Sequence, residues 1–310
     1  MINKNSKIYI AGHNGMVGSA ILRKLEDYGY KNIIFRNRNE LDLLNQNDVY
    51  SFLSENKPEY IFIAAAKVGG IHANNTYRAD FIFENITIAS NIIGGAHKAN
   101  LDKLCFLGSS CIYPKLCMQP MKEEHLLSGK LEETNEPYAI SKIAGIKLCE
   151  NFNIQYNRSY ISLMPTNLYG PNDNYHPENS HVLPALIKRF HEAKINESEE
   201  ITIWGDGSPK REFLHVNDLA DACVFLMENE YNGSLINIGS NEEVSIEDLA
   251  ITIKKIVGFA GKLKFDSTKP NGMPRKLLDS SSINKFGWKH KISLEEGIKS
   301  TYKDYLSMVQ

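Results

Sequence analysis

Short apolar segments alternate with amphipathic segments through the first half of the chain, and this alternation limits the possible folds more than any other feature. Strand-like runs cover 7–11, 32–35 and 60–64, and helical patterns lie near 17–28 and 47–56. Because the strand-like runs are apolar at nearly every position, both of their faces must be covered. The pattern predicts an α/β fold with a doubly wound parallel sheet.

The alternation continues as far as a strand at 160–164, after which the sequence becomes rich in Pro, Asn, His and Gly. Such a change of texture is typical of a substrate-binding portion. Asp218, near the start of a helical pattern, and the apolar run 234–239 indicate a return to the sheet. We therefore expect a Rossmann-like nucleotide-binding domain formed by 1–168 and 211–240, and a smaller substrate lobe formed by 169–210 and 241–310.

Charge and composition exclude several classes of partner. The 310 residues include 35 basic and 37 acidic side chains, so the net charge of -2 gives no overall attraction for nucleic acid or an anionic membrane. The polar start leads directly into a strand, and no apolar run approaches the length of about 20 residues that spans a bilayer. Five cysteines without C-x-x-C spacing predict no metal site and a reducing, cytoplasmic setting.

A glycine-rich turn, Gly12-His-Asn-Gly-Met-Val-Gly18, joins the first strand-like run to the first helical pattern. Such a turn lets backbone amides approach a pyrophosphate at a helix N-terminus. The second strand-like run ends in Phe35-Arg-Asn-Arg38, where an acidic residue would be expected to bond the ribose of NAD. Basic side chains at this point suit a 2′-phosphate, so we expect NADP, with one of the two arginines only a solvated loop charge.

Tyr138 and Lys142 are four residues apart in a helical pattern, so their side chains share one face. A nearby ammonium would lower the pKa of a tyrosine, which is ordinarily about 10. Upstream, the apolar run 103–107 predicts a buried strand that ends at Gly108 and Ser109, where parallel sheets bind their ligands. The combination predicts proton exchange with a carbonyl oxygen.

The glycine turn, Ser109 and the Tyr138-x-x-x-Lys142 pair together resemble the extended short-chain dehydrogenase/reductase family. Longer runs are similar to the branch of that family that uses NADPH to convert GDP-4-keto-6-deoxy-D-mannose to GDP-L-fucose by 3,5-epimerisation and 4-reduction. The resemblance covers nearly the whole chain and implies a homodimer. The runs that carry it are 64–71, 74–77, 108–115, 134–139, 164–170, 179–182 and 211–215.

The resemblance also implies roles for single residues. Ser109, Tyr138 and Lys142 would form the reductase triad, and Cys111 and His181 the acid–base pair of the epimerase. The residues implied for the cofactor are Gly12, His13, Asn14, Gly15, Met16, Val17, Gly18, Arg38, Asp42, Leu43, Leu107, Gly108, Lys142, Pro165, Asn167, Leu168 and His181, with Thr166 in the same loop. Those implied for the GDP-sugar are Arg189, Trp204, Arg211, Lys262, Asn271 and Lys276.

Two positions depart from the pattern of the family, since Asn14 replaces an arginine and Asn271 an aspartate. The first departure would place the 2′-phosphate on Arg38. Two alternatives stay open at this point. The chain could reduce a related GDP-linked 4-keto sugar such as a 6-deoxy-heptose, or it could bind NADP without catalysis.

Overall fold

Twelve strands and ten α-helices are present in the computed structural model, which describes residues 2–177, 179–269 and 271–309, apart from the side chains of 71 and 72. The strands are β1 Ile8–Ala11, β2 Ile33–Ile34, β3 Tyr60–Ile63, β4 Lys103–Leu107, β5 Ser159–Pro165, β6 Asn167–Tyr169, β7 Glu200–Trp204, β8 Lys210–His215, β9 Leu235–Ile238, β10 Glu243–Ser245, β11 Lys262–Asp266 and β12 Arg275–Lys276. The helices are α1 Met16–Asp27, α2 Gln46–Asn56, α3 Ile71–Thr76, α4 Arg78–Lys98, α5 Glu136–Tyr156, α6 Val182–Ile195, α7 Val216–Glu228, α8 Ile246–Val257, α9 Ser281–Phe286 and α10 Leu294–Val309.

The central sheet has six parallel strands in the order β2-β1-β3-β4-β5-β9. Strand β1 shows why its sequence is apolar throughout. Ile8 and Ile10 pack on the side of α1 and α7, whereas Tyr9 and Ala11 pack on the side of α2, α4 and α5. All four are buried, so helices cover both faces. The predicted fold class, a doubly wound parallel sheet, is confirmed.

A smaller set of strands lies outside the central sheet. Strand β8 pairs with β6 and β12 in parallel and with β10 antiparallel, and β7 pairs with β11. Helices α6, α8 and α10 contribute to a separate apolar core, which includes Phe190, Ile253 and Ile298. The assignment of residue ranges to two domains stays a prediction.

Element boundaries agree with the sequence expectation in one place and differ in another. The helical stretch expected from about 77 to 99 forms α4, and the short helix α3 precedes it, separated from α4 at Tyr77, whose φ is -104° and ψ is 43°. The second strand is only two residues long, Ile33–Ile34, whereas the apolar run in the sequence extends from 32 to 35. Within the described ranges, no helix has both the length and the apolar character needed to cross a membrane.

Candidate active site

A cleft of about 690 Å³ opens at the carboxyl ends of the central strands. Its walls come from the segments that follow β1, β2, β3, β4 and β5, together with α5, the start of α6 and β12. The strand order reverses between β1 and β3, and a doubly wound sheet opens a crevice at such a point. The topology therefore explains why residues from distant parts of the sequence share one site.

The glycine turn is packed too closely for side chains at two of its positions. Gly12 has a φ of 89°, and a Cβ atom there would lie 2.7 Å from the backbone nitrogen of Ala65. At Gly18, inside α1, a Cβ atom would lie 2.0 Å from the carbonyl oxygen of Gly12. Helix α1 begins at Met16, and its N-cap Gly15 provides no side-chain cap. The first amides of α1 can therefore serve an anion such as a pyrophosphate.

A histidine of the glycine turn and two arginines that follow β2 also line the cleft. His13 stacks on Phe35 with ring centroids 4.3 Å apart. The Arg36 guanidinium donates to the Phe35 carbonyl oxygen at 2.8 Å and lies 5.4 Å from the centroid of the Phe52 ring. Arg38 has no hydrogen bond to any described residue, so its guanidinium can bind an added anion. The side chain of Arg36 thus has contacts within the protein that the side chain of Arg38 lacks, as expected for a structural residue.

Most of the other expected cofactor residues also line this cleft. The side chain of Asn167 is held in place by a hydrogen bond, in which its Nδ2 donates to the Glu212 carbonyl oxygen at 2.8 Å. Gly18 does not reach the cleft wall, and its role in the structure is the close packing described above. The expected residues that line the cleft are Gly12, His13, Asn14, Gly15, Met16, Val17, Arg38, Asp42, Leu43, Leu107, Gly108, Lys142, Pro165, Thr166, Asn167, Leu168 and His181.

Tyr138 and Lys142 both line the cleft from α5, but their electrostatics differ from the sequence expectation. The Lys142 Nζ atom donates to the Leu107 carbonyl oxygen at 2.7 Å and lies 5.6 Å from the centroid of the Tyr138 ring. Burial raises the pKa of Tyr138, and the nearby Cys111 raises it further. Burial lowers the pKa of Lys142 to about 8. The pKa of Tyr138 is therefore raised and not lowered as expected from the sequence, because burial is the largest influence on it.

Ser109 and Cys111 follow β4 in a tight 3₁₀ turn. The Ser109 hydroxyl accepts a hydrogen bond from the Cys111 backbone N–H at 3.4 Å, which caps the turn and holds both side chains at the cleft. The side chain of Cys111 is buried, with 9% of its surface exposed. Burial raises the pKa of its thiol, while Lys276, the Ser109 hydroxyl and Lys142 act in the opposite direction.

His181 comes to the same cleft from the N-cap of α6. Its side chain is accessible through the opening, yet protein surrounds it on most sides. Desolvation therefore lowers the pKa of the imidazole, and the positive charge of Lys276 lowers it further. The neutral imidazole is favoured, so His181 must first take up a proton before it can give one to a ligand. The loop before His181 is held by the Gly70 backbone N–H, which donates to the Asn179 carbonyl oxygen at 2.8 Å.

The residues expected to bind the GDP-sugar are divided between the cleft and a region outside it. Only Lys276 lines the cleft. Its backbone pairs with Arg211 across β12 and β8, so these two cations lie on neighbouring strands. Arg189 donates from its guanidinium to the Thr202 carbonyl oxygen. Arginines and lysines arranged in this way can neutralise a diphosphate locally although the chain is nearly neutral.

Trp204 is a broad apolar surface at the end of β7, with 69% of its area exposed. The next turn is fixed by Asn271, whose Oδ1 accepts from the Asp206 backbone N–H at 2.8 Å. Lys262 is not brought to this place, because it pairs with Glu200 at the opposite end of β7 and β11. The cation beside the indole is Lys269, whose Nζ lies 5.6 Å from the ring centroid. The register of β7 and β11 could not be read from the sequence. It places the end of β11, and not Lys262, beside Trp204.

Sequence reasoning also left out several residues that line the cleft. The segment 64–69 forms the wall after β3, and Asn74 and Asn135 contribute amide side chains. Asn74 is buried, and its Nδ2 donates to the carbonyl oxygens of Gly69 at 2.6 Å and Gly70 at 3.0 Å. The position of 64–69 at the carboxyl end of a predicted strand was a signal that could have identified it.

The chain is similar in sequence and structure to several known proteins. Residues 8–239 match the NAD dependent epimerase/dehydratase family. The chain is 58% identical to GDP-L-fucose synthase 1 of Arabidopsis thaliana, over 100% of this chain and 96% of that one. It is 54% identical to GDP-L-fucose synthase of Escherichia coli K12, over 97% and 96% of the two chains. The solved structure of a GDP-mannoheptose C4 reductase from Campylobacter jejuni with NADP bound is 41% identical and covers 99% of this chain and 100% of that one, with a TM-score of 0.91.

Proposed function

This chain belongs to the NAD dependent epimerase/dehydratase family, and we propose that it converts GDP-4-keto-6-deoxy-D-mannose to GDP-L-fucose by 3,5-epimerisation and NADPH-dependent 4-reduction. The observation that carries the proposal is the presence of two sets of side chains in one cleft. Ser109, Tyr138 and Lys142 suit the reduction, and Cys111 and His181 suit the epimerisation. A reductase without epimerase activity would not need the second set.

The cofactor is NADP(H), which supplies the hydride for carbon 4 when it is bound. The glycine turn and the start of α1 would hold its pyrophosphate, because only glycine fits at Gly12 and the helix amides point outward. Arg38 would bind the 2′-phosphate, since its guanidinium is not held by a described residue, in contrast to that of Arg36. A bidentate guanidinium is well suited to a phosphate group.

The protein would exchange protons before it reduces the ketone. The carbonyl at carbon 4 acidifies the hydrogens on carbons 3 and 5, and hydrogen bonds from Ser109 and Tyr138 to the keto oxygen would stabilise the enolate. Cys111 would remove a proton on one face of the sugar ring, and His181 would return one on the other. Each carbon–hydrogen bond that breaks is thus replaced by another on the opposite face, with no change in oxidation state.

In the reduction, Tyr138 would donate its phenolic proton to the oxygen of carbon 4. The raised pKa of Tyr138 keeps this proton in place until an alkoxide develops. Lys142, with a pKa of about 8, is a cation at neutral pH and stabilises the negative charge that the tyrosine acquires. The position of Lys142 is set by its hydrogen bond to Leu107 at the end of β4.

The nucleotide would extend from the cleft along β12 and β8. Lys276 and Arg211 are neighbours on these strands, and Trp204 offers an exposed ring on which a guanine base can stack. Asn271 supports the turn beside this ring, and Arg189 is anchored on β7. Lys262 lies at the other end of β7 and is not included in the proposed site.

We also propose that the protein is a cytoplasmic homodimer. Phe83, with 68% of its surface exposed, and Ile86 lie on one face of α4, and Ile140 is exposed on the adjacent α5. Burying such a surface against a second copy would be favourable. The five cysteines are free thiols, as is usual in a reducing compartment. Sedimentation should show a dimer that Phe83→Asp converts to a monomer.

The function is tested by incubating the protein with GDP-4-keto-6-deoxy-D-mannose and NADPH in deuterated water. We expect NADPH oxidation and, by NMR, GDP-L-fucose labelled at carbons 3 and 5. An unlabelled product with unchanged configuration at both carbons would contradict the epimerase part. If no GDP-linked keto sugar caused NADPH oxidation, the result would instead support a protein that binds NADP without catalysis.

A second candidate substrate is a GDP-linked 4-keto-heptose, because a GDP-mannoheptose C4 reductase and a GDP-6-OMe-4-keto-L-xylo-heptose reductase have the same fold at 41% and 39% identity. The longer exocyclic group would have to fit in the same cleft. Measuring kcat/KM for both sugars decides between them. We expect the hexose to be preferred, in agreement with the greater identity to GDP-L-fucose synthases.

A further inference from the structure

Asn74 and Gly70 lie where the wall that follows β3 meets the loop that carries His181. Gly70 is the N-cap residue of α3, and Asn74 lies within this helix and lines the cleft. The Gly70 backbone N–H donates to the Asn179 carbonyl oxygen at 2.8 Å, shortly before His181. We propose that Asn74 and Gly70 are positioning residues for His181 and hold its loop at the cleft through this hydrogen bond. The inference deepens the proposed function and rests on it for its catalytic meaning.

Gly70 allows the two backbones to approach each other closely. A Cβ atom at this position would lie 2.9 Å from the Ser180 carbonyl oxygen and 3.0 Å from that of Asn179. The φ of -67° and ψ of -176° at Gly70 are open to any residue, so the backbone conformation does not explain the glycine. A side chain is excluded here because the 179–180 backbone packs directly against this position.

Asn74 fixes the orientation of the peptide group that makes this contact. Its side chain is 6% exposed, and its Nδ2 donates to the Gly69 carbonyl oxygen at 2.6 Å and to the Gly70 carbonyl oxygen at 3.0 Å. The Gly69 carbonyl and the Gly70 N–H belong to one planar peptide group and point in opposite directions. Because Asn74 holds the carbonyl on one side, the N–H is directed toward Asn179 on the other.

His181 is held from its other side by α6. It is the N-cap residue of this helix, and its carbonyl oxygen accepts from the Ala185 N–H at 3.0 Å. The backbone of His181 is therefore fixed between α6 and the contact with Gly70. Cys111 is held separately, by the turn that follows β4. Loss of the Gly70 contact should thus displace His181 and leave Cys111 in place.

This arrangement affects one of the two proposed reactions more than the other. Proton transfer needs a donor within hydrogen-bond reach of the reacting atom, so the proton exchange depends on the position of His181. The reduction uses Ser109, Tyr138 and Lys142, which come from the end of β4 and from α5. A loosened His181 loop should therefore slow exchange at carbons 3 and 5 more than reduction of a sugar already epimerised.

The test compares Asn74→Ala with a matched control, Asn85→Ala. Asn85 lies on α4, is also buried, and holds the same wall at Lys67. Its Oδ1 accepts from the Lys67 backbone N–H at 2.8 Å, and its Nδ2 donates to the Lys67 carbonyl oxygen at 3.0 Å. Each variant thus removes a buried amide that supports the wall, but only Asn74 supports the contact with the His181 loop.

The first measurement follows the modification of His181 by diethyl pyrocarbonate, mapped by mass spectrometry without any sugar. Protein surrounds the imidazole on most sides, so a loosened loop should expose it. We expect His181 to react roughly threefold faster in Asn74→Ala than in the wild type, and at the wild-type rate in Asn85→Ala. Equal rates in the wild type and Asn74→Ala would overturn the inference, and so would an equal acceleration in Asn85→Ala.

The second measurement compares two activities of each variant. Deuterium incorporation at carbons 3 and 5 is followed with the keto sugar in deuterated water, and NADPH oxidation is followed with a sugar already epimerised. For Asn74→Ala we expect the kcat of exchange to fall roughly tenfold and the kcat of reduction to fall less than about threefold, because a small displacement of a reacting group is costly. Asn85→Ala should change both in the same proportion. A fall of both by the same factor in Asn74→Ala would indicate a purely structural role and overturn the inference.

Gly70→Ala provides an independent variant should Asn74→Ala fail to fold. It keeps the side chain of Asn74 and adds one methyl group, which must displace the 179–180 backbone. We expect the same faster modification of His181 and the same selective loss of exchange, and wild-type behaviour in both would overturn the inference. Because the modification needs no sugar, a wild type without exchange would contradict the proposed function, while the His181 rates would still decide whether this contact holds the loop.

Discussion

Replacing Lys142 by methionine is expected to stabilise the protein at neutral pH while it abolishes the reduction of carbon 4. Lys142 is 4% exposed, and burial lowers the pKa of its ammonium from 10.5 to about 8. A difference of about 2.5 pH units corresponds to about 3 kcal/mol at 1.36 kcal/mol per unit. The loss of the hydrogen bond to the Leu107 carbonyl oxygen offsets about 1 kcal/mol of this. We expect Lys142→Met to be more stable by about 2 kcal/mol near about pH 7.

The pH dependence of this difference identifies its cause. Between about pH 8 and 10.5 the unfolded chain still binds a proton at Lys142, whereas the folded protein does not, so the wild type gains stability as pH rises. Its gain between about pH 7 and about pH 9.5 should be about 2 kcal/mol relative to Lys142→Met. The two proteins should therefore become nearly equal in stability at the higher pH.

The measurement is urea unfolding of both proteins across this pH range, with Lys147→Met as the control. Lys147 lies on the same helix, α5, and forms a surface ion pair with Glu150 at 2.6 Å. Its removal should change stability by less than about 1 kcal/mol. The reasoning would be refuted if Lys142→Met were less stable than the wild type by an amount that did not vary with pH, because the ammonium would then not be desolvated.

Four further outcomes are expected. Tyr138→Phe should abolish NADPH oxidation and leave NADPH binding intact in a fluorescence titration, because only the proton donor is lost; retained turnover would contradict its role. Cys111→Ser should slow deuterium incorporation at carbons 3 and 5 more than reduction of a sugar already epimerised, and activity equal to wild type would remove it from the mechanism. Arg38→Ala should weaken NADPH binding by roughly tenfold and NADH binding little, whereas equal losses would indicate that it does not contact the 2′-phosphate. Glu212→Ala should lower the free energy of unfolding by about 2 kcal/mol in urea, with a smaller loss for Glu212→Gln, because the buried N–H of Leu278 and the partly buried N–H of Asn241 lose their acceptor.

The central sheet could be predicted because its strands must be apolar on both faces. The runs that became β1, β3 and β4 are each buried along nearly their whole length, and the helices between them are long enough to show their own periodicity. The fold class followed from this alternation. The glycine turn could be placed for the same reason, since a strand and a helix flank it.

The strands around the nucleotide site could not be predicted with the same success. Strand β12 has two residues and β10 has three, so neither shows a period in the sequence. Their partners on β8 are more than 25 residues away, and only the folded chain shows that Lys276 pairs with Arg211. The same argument applies to Lys262, which the register of β7 and β11 separates from Trp204.

The spacing of Tyr138 and Lys142 predicted that both reach one pocket, but it gave the wrong direction for the pKa of the tyrosine. A periodicity places side chains on one helix face and contains no measure of how much water surrounds them. In the folded protein burial is the largest influence on the pKa of each group, and it raises that of Tyr138 and lowers that of Lys142. Desolvation favours the neutral form of every titratable group.

Burial also favours the neutral form of other titratable groups in the cleft, and this affects the proposed chemistry. Burial raises the pKa of Cys111 and lowers that of His181 and Lys276, so the pocket disfavours charge in general. An enolate or alkoxide would be disfavoured for the same reason unless cations are placed beside it. Lys142 on α5 and Lys276 on β12 both line the cleft, so each can place a cation beside such a charge. Because the walls of the cleft exclude part of the water, the attraction between either cation and the developing charge is stronger than it would be in bulk water.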